Sequence, residues 1–283
     1  MRTQEDLLGM EGVLAPRRPR LLKRLGLDRY FLYSVGAVLL LLALWEGIVR
    51  WKGIPPLYLP GPTSIAQVFY QMALEPPTSP EGLSYHLLWT LFRILGGFAI
   101  AALTGIGIGL LMGMSKAFEA ISDFIIAALY PIAKIAFIPL LIIWLGSGES
   151  YKIAVSALAA FFPIVINTFV GVKQVDPGLI KTAIDLGANR RQVQRKVILP
   201  GAVPSIFAGL RLGMGVTIIL VVASEMIASR NGIGQILFTA GQILETEKVF
   251  VSLAVLGIVG VAITKAQARI DRWIAPWVEK MEE

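Results

Sequence analysis

Arg93, Lys134, Asn167 and Glu225 are the side chains with chemistry to offer inside long apolar stretches of this sequence. A charge at the middle of a membrane helix costs roughly 2.5–3.5 kcal/mol on insertion scales, so each one needs a partner or a use. The uses open to them are attraction of an ion, a buried ion pair, or a hydrogen bond between helices. Lys134 lies between Pro131 and Pro139. It reads as an attractor for an anion, or as a lysine that is buried in a pair or snorkels to the surface. Glu225 reads as a structural pair with Arg230 or Arg93, or as a gate contact. Arg93 reads as lining an outer cavity, or as snorkelling. Asn167 follows Pro163 by one helical turn and can bond across a dimer or to a neighbouring helix. Glu46, near an interface, reads as solvated. Covalent chemistry has no support here: there is no nucleophile–base set, no HExxH, no cysteine, and a single histidine, His86. No GxxxxGK occurs, so any ATP has to be bound by another chain.

The second polar feature is the stretch 176–204, DPGLIKTAIDLGANRRQVQRKVILPGAVP. Asp176-Pro177 reads as an N-cap followed by proline at the first helical position. Leu179, Ile180, Ala183 and Leu186 recur at helical spacing. Gly187 stops that helix, where positive φ is cheap for glycine. Asn189 caps a second helix, with Gln192 as its capping-box partner. Val193, Val197 and Ile198 form an apolar side, and Arg190, Arg191, Arg195 and Lys196 a basic one. Leu199-Pro200 and Pro204 are expected to end it. By residue types alone, this helix-turn-helix is either a connector lying on lipid headgroups or a docking element for a soluble partner.

The elements that carry these residues follow from hydropathy. The chain has 283 residues, of which 55% are hydrophobic and 16% charged, and its mean hydropathy is +0.70. That is too apolar for a soluble domain of this size and indicates an all-α polytopic membrane protein with about six transmembrane helices. The spans are expected over 30–49, 87–114, 124–145, 151–172, 206–227 and 249–264. Residues 1–29 read as a cytoplasmic basic tail, and 30–58 as the first span with the start of an outer loop. Leu59-Pro60-Gly61-Pro62-Thr63-Ser64 leads into a short capped amphipathic helix at the membrane surface, with Ile65, Val68, Phe69 and Met72 on its apolar side. Gly105, Gly109 and Gly113 allow close helix approach. Ser115–Glu119 reads as a cytoplasmic turn, SRNGIGQIL as a turn-rich outer loop, and Lys265, Arg269 and Arg272 as a basic tail. The net charge of +7 reflects orientation signals rather than nucleic-acid binding. Dense Lys and Arg on the side of both termini and of 176–204 put that side in the cytoplasm.

The spacing Ala183, Gly187, Val197, Leu199-Pro200 resembles the "EAA" loop of ABC importer permeases. The family's opening Glu falls on Lys181 and its first Ala on Thr182; the Gly and the Leu-Pro are intact. The stretches SYHLLWTLFRILGGF, IPLLIIWLGSGE, FFPIVINTFVGVKQVDP and VVASEMIASRNGIG extend the resemblance, from about residue 59 onward, to permeases of nitrate/sulfonate/taurine-type importers. The resemblance implies a type I ABC importer permease fold, with 59–272 as the permease domain and 273–283 as a cytoplasmic tail. It implies that Ala183, Asp185, Gly187, Ala188, Arg190, Arg191, Val197, Leu199 and Pro200 couple to an ATPase. It further implies two ABC ATPase subunits carrying ATP and Mg, an external substrate-binding protein, and a second permease copy, with no cofactor on this chain. The location it implies is a bacterial inner membrane, with both termini cytoplasmic. The solute would be small and anionic: nitrate, taurine, a sulfonate or bicarbonate. A stand-alone secondary transporter or channel is the alternative; it would need internal repeats or midplane ionisable pairs, and no clear repeat is present.

Overall fold

Apolar runs long enough to cross a bilayer set the helices of this protein, and glycines set how closely they pack. The computed structural model describes residues 29–274. The expected N-terminal basic tail and the end of the C-terminal tail lie outside the described residues. The chain falls into two compact units: residues up to Pro55 with Gly61–Thr63, and Pro56–Pro60 with Ser64 onward. The first unit is built on α1 (Arg29–Lys52). In it Glu46 accepts hydrogen bonds from Arg50 Nε at 2.6 Å and Thr63 Oγ1 at 2.8 Å. Glu46 is therefore not simply solvated; it ties the end of α1 to the segment that follows the loop.

The second unit continues with α2 (Pro62–Leu74), whose first two residues belong to the first unit, then α3 (Leu83–Met114) and α4 (Lys116–Leu129). A short 3-10 turn (Lys134–Ala136) leads into α5 (Phe137–Leu145), followed by α6 (Glu149–Lys173). Then come α7 (Pro177–Asp185), α8 (Arg190–Val193), a single wide π turn (Gln194–Ile198) and α9 (Leu199–Ala228). Helices α10 (Ile233–Gln242) and α11 (Thr246–Ile274) complete the described chain. Among the described residues there is no strand. Among the described residues five helical stretches are long and apolar enough to span a membrane, and six if α4 and α5, bent by 81°, count as one broken span.

Helix α6 is the central element. It is flanked by α3 on one side and α9 on the other, and it buries Tyr151, Val155, Ala159, Ala160, Ile164 and Val165. Small residues at every fourth position of α3, glycine at 97, 105, 109 and 113 and alanine at 101, bring its backbone against α6. A Cβ on Gly97 would lie 2.2 Å from Ser156 Cβ, one on Gly105 2.9 Å from Ile164 Cγ2, and one on Gly113 2.4 Å from Val172 Cγ1. In lipid the solvent is as apolar as the side chains, so helix association rests on such close packing and on interhelical hydrogen bonds. Ser156 supplies one, donating to Ile94 O at 3.1 Å, and Thr217 of α9 donates to Ser156 O at 3.4 Å. Gly109→Leu is expected to destabilise the fold by about 1–3 kcal/mol through overpacking, because its Cβ would meet Thr168 Cβ at 2.6 Å. Gly107→Leu, two residues away with no atom within 4 Å of an added Cβ, should be near neutral. Melting temperatures of the two variants in detergent check the pair.

Four expectations about boundaries are corrected. Ser115–Glu119 is not a free turn; Ser115 caps α4, its hydroxyl accepting from Phe118 N at 3.4 Å. SRNGIGQIL is not all turn: after Gly232, at φ +114°, it enters α10, whose Ile233 and Ile236 join a core with Met72, Leu83, Val251 and Val255. Lys265, Arg269 and Arg272 are the last turns of α11 rather than a tail. Pro200 and Pro204 do not end the second polar helix either. The wide turn just before them, in which Leu199 N–H bonds to Gln194 O, loosens the spiral where proline would otherwise clash and lack a donor. Helical structure therefore runs on from Arg190 through Ala228.

Candidate functional site

Two polar assemblies sit at opposite ends of α6. At its C-terminal end lies the segment 176–204. Asp176 caps α7, accepting from Gly178 N at 2.7 Å, with Pro177 at the first turn. Gly187 has φ +85° and turns the chain. Ala188 N then bonds back to Ala183 O at 3.0 Å and Gly187 N to Ile184 O at 2.8 Å. Asn189 and Gln192 form a reciprocal capping box, 2.7 and 3.0 Å. The caps and the glycine hold the two helices at a set angle using local interactions alone.

The surface of this segment differs from the expected stripe. Val193 is buried, and Ile198 packs against Val172, Ala202 and Ile206, as an inward side should. Leu179 and Leu186 face out instead, with Leu186 83% exposed, and Ile184 is also exposed. Asp185, Gly187, Arg190, Arg191 and Leu199 are exposed, while Ala183, Ala188, Val197 and Pro200 are half-buried. An apolar cavity of about 430 Å³ lies beneath the segment, lined by Gly113, Met114, Ile180, Ile184 and Val193 among others. Close by, Lys173 and Glu119 form an ion pair at 2.6 Å that ties α6 to α4.

At the other end of α6, Arg93 is fully buried. Its Nη1 donates to Glu225 Oε1 at 2.6 Å and to Asn231 O at 2.9 Å. Its Nε and Nη2 donate to the two oxygens of Glu149 at 2.6 and 2.8 Å, and Nη2 also reaches Asn231 Oδ1. Glu225 is satisfied on every side: Thr90 Oγ1 donates at 2.9 Å and Gly234 N at 2.9 Å. Lys152, itself buried, donates to Glu149 at 2.9 Å. His86 accepts from Gly232 N at Nδ1, 2.9 Å, so its Nε2 carries the proton donated to Pro80 O at 2.8 Å. The result is one hydrogen-bonded knot of α3, α6, α9 and the turn into α10. Snorkelling of Arg93 is thereby corrected: the planar guanidinium fork has carboxylates on two sides and no need of the surface. Of the two partners expected for Glu225, Arg93 is the one found. Glu149 carries no expected role in the sequence reading. Its signal was a carboxylate at the first turn of an apolar helix, in the GSGE of IPLLIIWLGSGE.

Asn167 and Lys134 lie apart from this knot. Asn167 Nδ2 donates to Pro163 O in its own helix at 2.8 Å. Lys134 is half-buried at the break between α4 and α5, donating to Tyr130 O at 2.7 Å. Among the described residues no group of three or more His, Cys, Asp or Glu is placed to hold a metal.

Comparison with known proteins decides what kind of machine has this layout. Residues 105–280 match the family described as binding-protein-dependent transport system inner membrane component. The chain belongs to this family. It is 36% identical over 258 residues to the taurine transport system permease protein TauC of Escherichia coli, covering 91% of this chain and 94% of that protein. It is 33% identical over 242 residues to the putative aliphatic sulfonates transport permease protein SsuC of Bacillus subtilis, covering 86% of each. The nitrate import permease protein NrtB of a Synechocystis species is 31% identical over 248 residues, with 86% and 89% covered. Among solved structures, an inward-facing form of the MetNI methionine ABC transporter aligns with a TM-score of 0.57 at 24% identity, over 68% of this chain and 95% of that one. That likeness shows a shared fold. The protein is thus the permease component of a transport system, an inner-membrane subunit that translocates rather than catalyses.

Proposed function

We propose that this permease is the membrane-embedded half of an ATP-driven importer for a small anionic solute of the taurine, sulfonate or nitrate class. The segment 176–204 is its socket for the ATPase. Ala183, Asp185, Gly187, Ala188, Arg190, Arg191, Val197, Leu199 and Pro200 make up that socket, with the exposed Leu179, Ile184 and Leu186 as its apolar ridge. The carrying observation is a capped, glycine-hinged helix pair that turns apolar and basic side chains outward at one end of the bundle. The partner ATPases hold ATP and Mg; an external binding protein delivers the solute, and a second copy of the chain completes the path. Both termini then lie in the cytoplasm with the socket, as the charge distribution favours. Residues 59–272 form the permease domain. Closure of the ATPases drags the socket, and the spans move between two packings of similar free energy. At the far end Arg93 and Glu225 hold α3 to α9, and Asn167 stiffens α6 beside Pro163 along the path.

The names of the relatives support the solute class, and the family description supports the need for a binding protein. The test is reconstitution. Proteoliposomes with this chain, its ATPase and its binding protein should accumulate labelled taurine, methanesulfonate or nitrate only when ATP is supplied. Because the chain has no cysteine, a single Leu186→Cys should cross-link to the ATPase. Uptake by the chain alone, driven by an ion gradient, would mean a secondary transporter instead.

A further inference from the structure

Lys134 is the charge that the rest of the fold leaves unexplained. It opens the 3-10 turn at the 81° break between α4 and α5. Its ammonium lies 4.4 Å from the centroid of the Tyr130 ring and 5.4 Å from that of Phe162. Phe162 is buried near the middle of the 25-residue α6, about 20 Å from its start and about 17 Å from its end. The ammonium is therefore close to mid-depth in the membrane. Four other cations on the spans have carboxylates: Arg93 and Lys152 share Glu149, Lys173 has Glu119, and Arg211 has Asp271. Among the described residues no carboxylate pairs with Lys134; its one hydrogen bond goes to the Tyr130 carbonyl at 2.7 Å.

That carbonyl and the two rings explain how the charge is held without being cancelled. The last carbonyls of α4 carry partial negative charge, and aromatic faces attract a cation. Neither removes the net positive charge as a carboxylate would. An ammonium has three donor protons, and one is used, so two remain. The neighbouring Ile132 and Ile135 are 41% and 50% exposed on the single chain, so no other part of this chain covers this side of the break. An intramembrane charge with no carboxylate beside it is a functional-site hypothesis by default.

We propose that Lys134 is the anion-attracting station of the translocation path. Clamped by Tyr130 and Phe162, it offers its two free N–H donors to a passing oxyanion such as a sulfonate or nitrate, and repels cations. This deepens the anion-importer reading and rests on it, but its test does not require transport.

The absence of cysteine supplies the probe. Ile135→Cys is made in the full chain, in membranes, with Lys134, K134Q or K134R alongside. Modification rates are measured with the anionic 2-sulfonatoethyl methanethiosulfonate and its cationic trimethylammonium analogue. With Lys134 the anionic reagent should be favoured; in K134Q the anionic-to-cationic rate ratio should fall by about tenfold, and K134R should keep it. K134Q removes a half-buried charge that no carboxylate pairs, so it should accumulate as well as the parent. If neither reagent reaches Ile135→Cys or Ile132→Cys, or if the ratio is the same in K134Q, the proposal fails. A charge-dependent ratio in a chain that shows no ATP-driven uptake would keep the station and sink the importer reading instead.

Discussion

Glu225→Ala is expected to lower the stability of the folded permease by about 3–5 kcal/mol, enough to remove most of the intact protein from the membrane. The carboxylate is enclosed by Arg93, Thr90 and the backbone N–H of Gly234. Alanine leaves all three donors facing a void, one of them a fully buried guanidinium. Glu149 still holds the other side of Arg93, so the loss is less than that of stripping the arginine bare. Glu225→Gln keeps an acceptor for Arg93 but loses the charge, and should fall between parent and alanine. The joint replacement of Arg93 and Glu225 by methionine should cost less than the two single replacements added together, because neither then strands the other. Thermal unfolding in detergent, followed by intrinsic fluorescence, reads the series. A Glu225→Ala protein that melts with the parent would show that packing alone holds this end of the bundle.

The contrast between the two ends of α6 explains what could be read from the residues in order. The segment 176–204 was legible because its geometry is local. A proline after an Asp cap, a glycine at the bend and an Asn–Gln box all act over a few residues. Its ridge was not, because Leu179 and Leu186 have the spacing of buried residues yet both face outward. The Arg93 knot joins residues separated by 56, 132 and 138 positions. No periodicity carries such a link; hydropathy could only say that each charge was out of place. The spans themselves were plain from apolar length. Their continuation through Pro200 was not, since an i→i+5 turn leaves no mark in composition. Helix α10 was hidden by the glycines that begin it, Gly232 and Gly234. These are needed because a Cβ at either would strike the Glu225 side chain, at 2.3 Å and 2.9 Å. The glycines that made that segment look like a turn are there for the knot.

Gly187→Val should cut ATP-driven uptake by about tenfold or more while leaving basal ATP hydrolysis by the partner in place. The argument isolates backbone conformation from packing. A Cβ on Gly187 would meet no atom within 4 Å, so valine does not clash with the rest of the permease. The φ of +85° is the obstacle. An L-residue there loses roughly 1–2 kcal/mol, and a β-branched one more. The chain can relieve this only by opening the bend, which breaks the Ala188–Ala183 and Gly187–Ile184 hydrogen bonds and re-aims α8 relative to α7. Asparagine tolerates the same backbone region, so Gly187→Asn should retain most uptake, and Gly187→Ala should lie between Asn and Val. That ordering follows φ tolerance and not side-chain size, since Asn is bulkier than Ala. Uptake and ATP hydrolysis measured on the same proteoliposomes separate lost coupling from lost assembly. If the valine variant assembles and transports like the parent, the rigid bend is not what transmits motion from the ATPase to the spans.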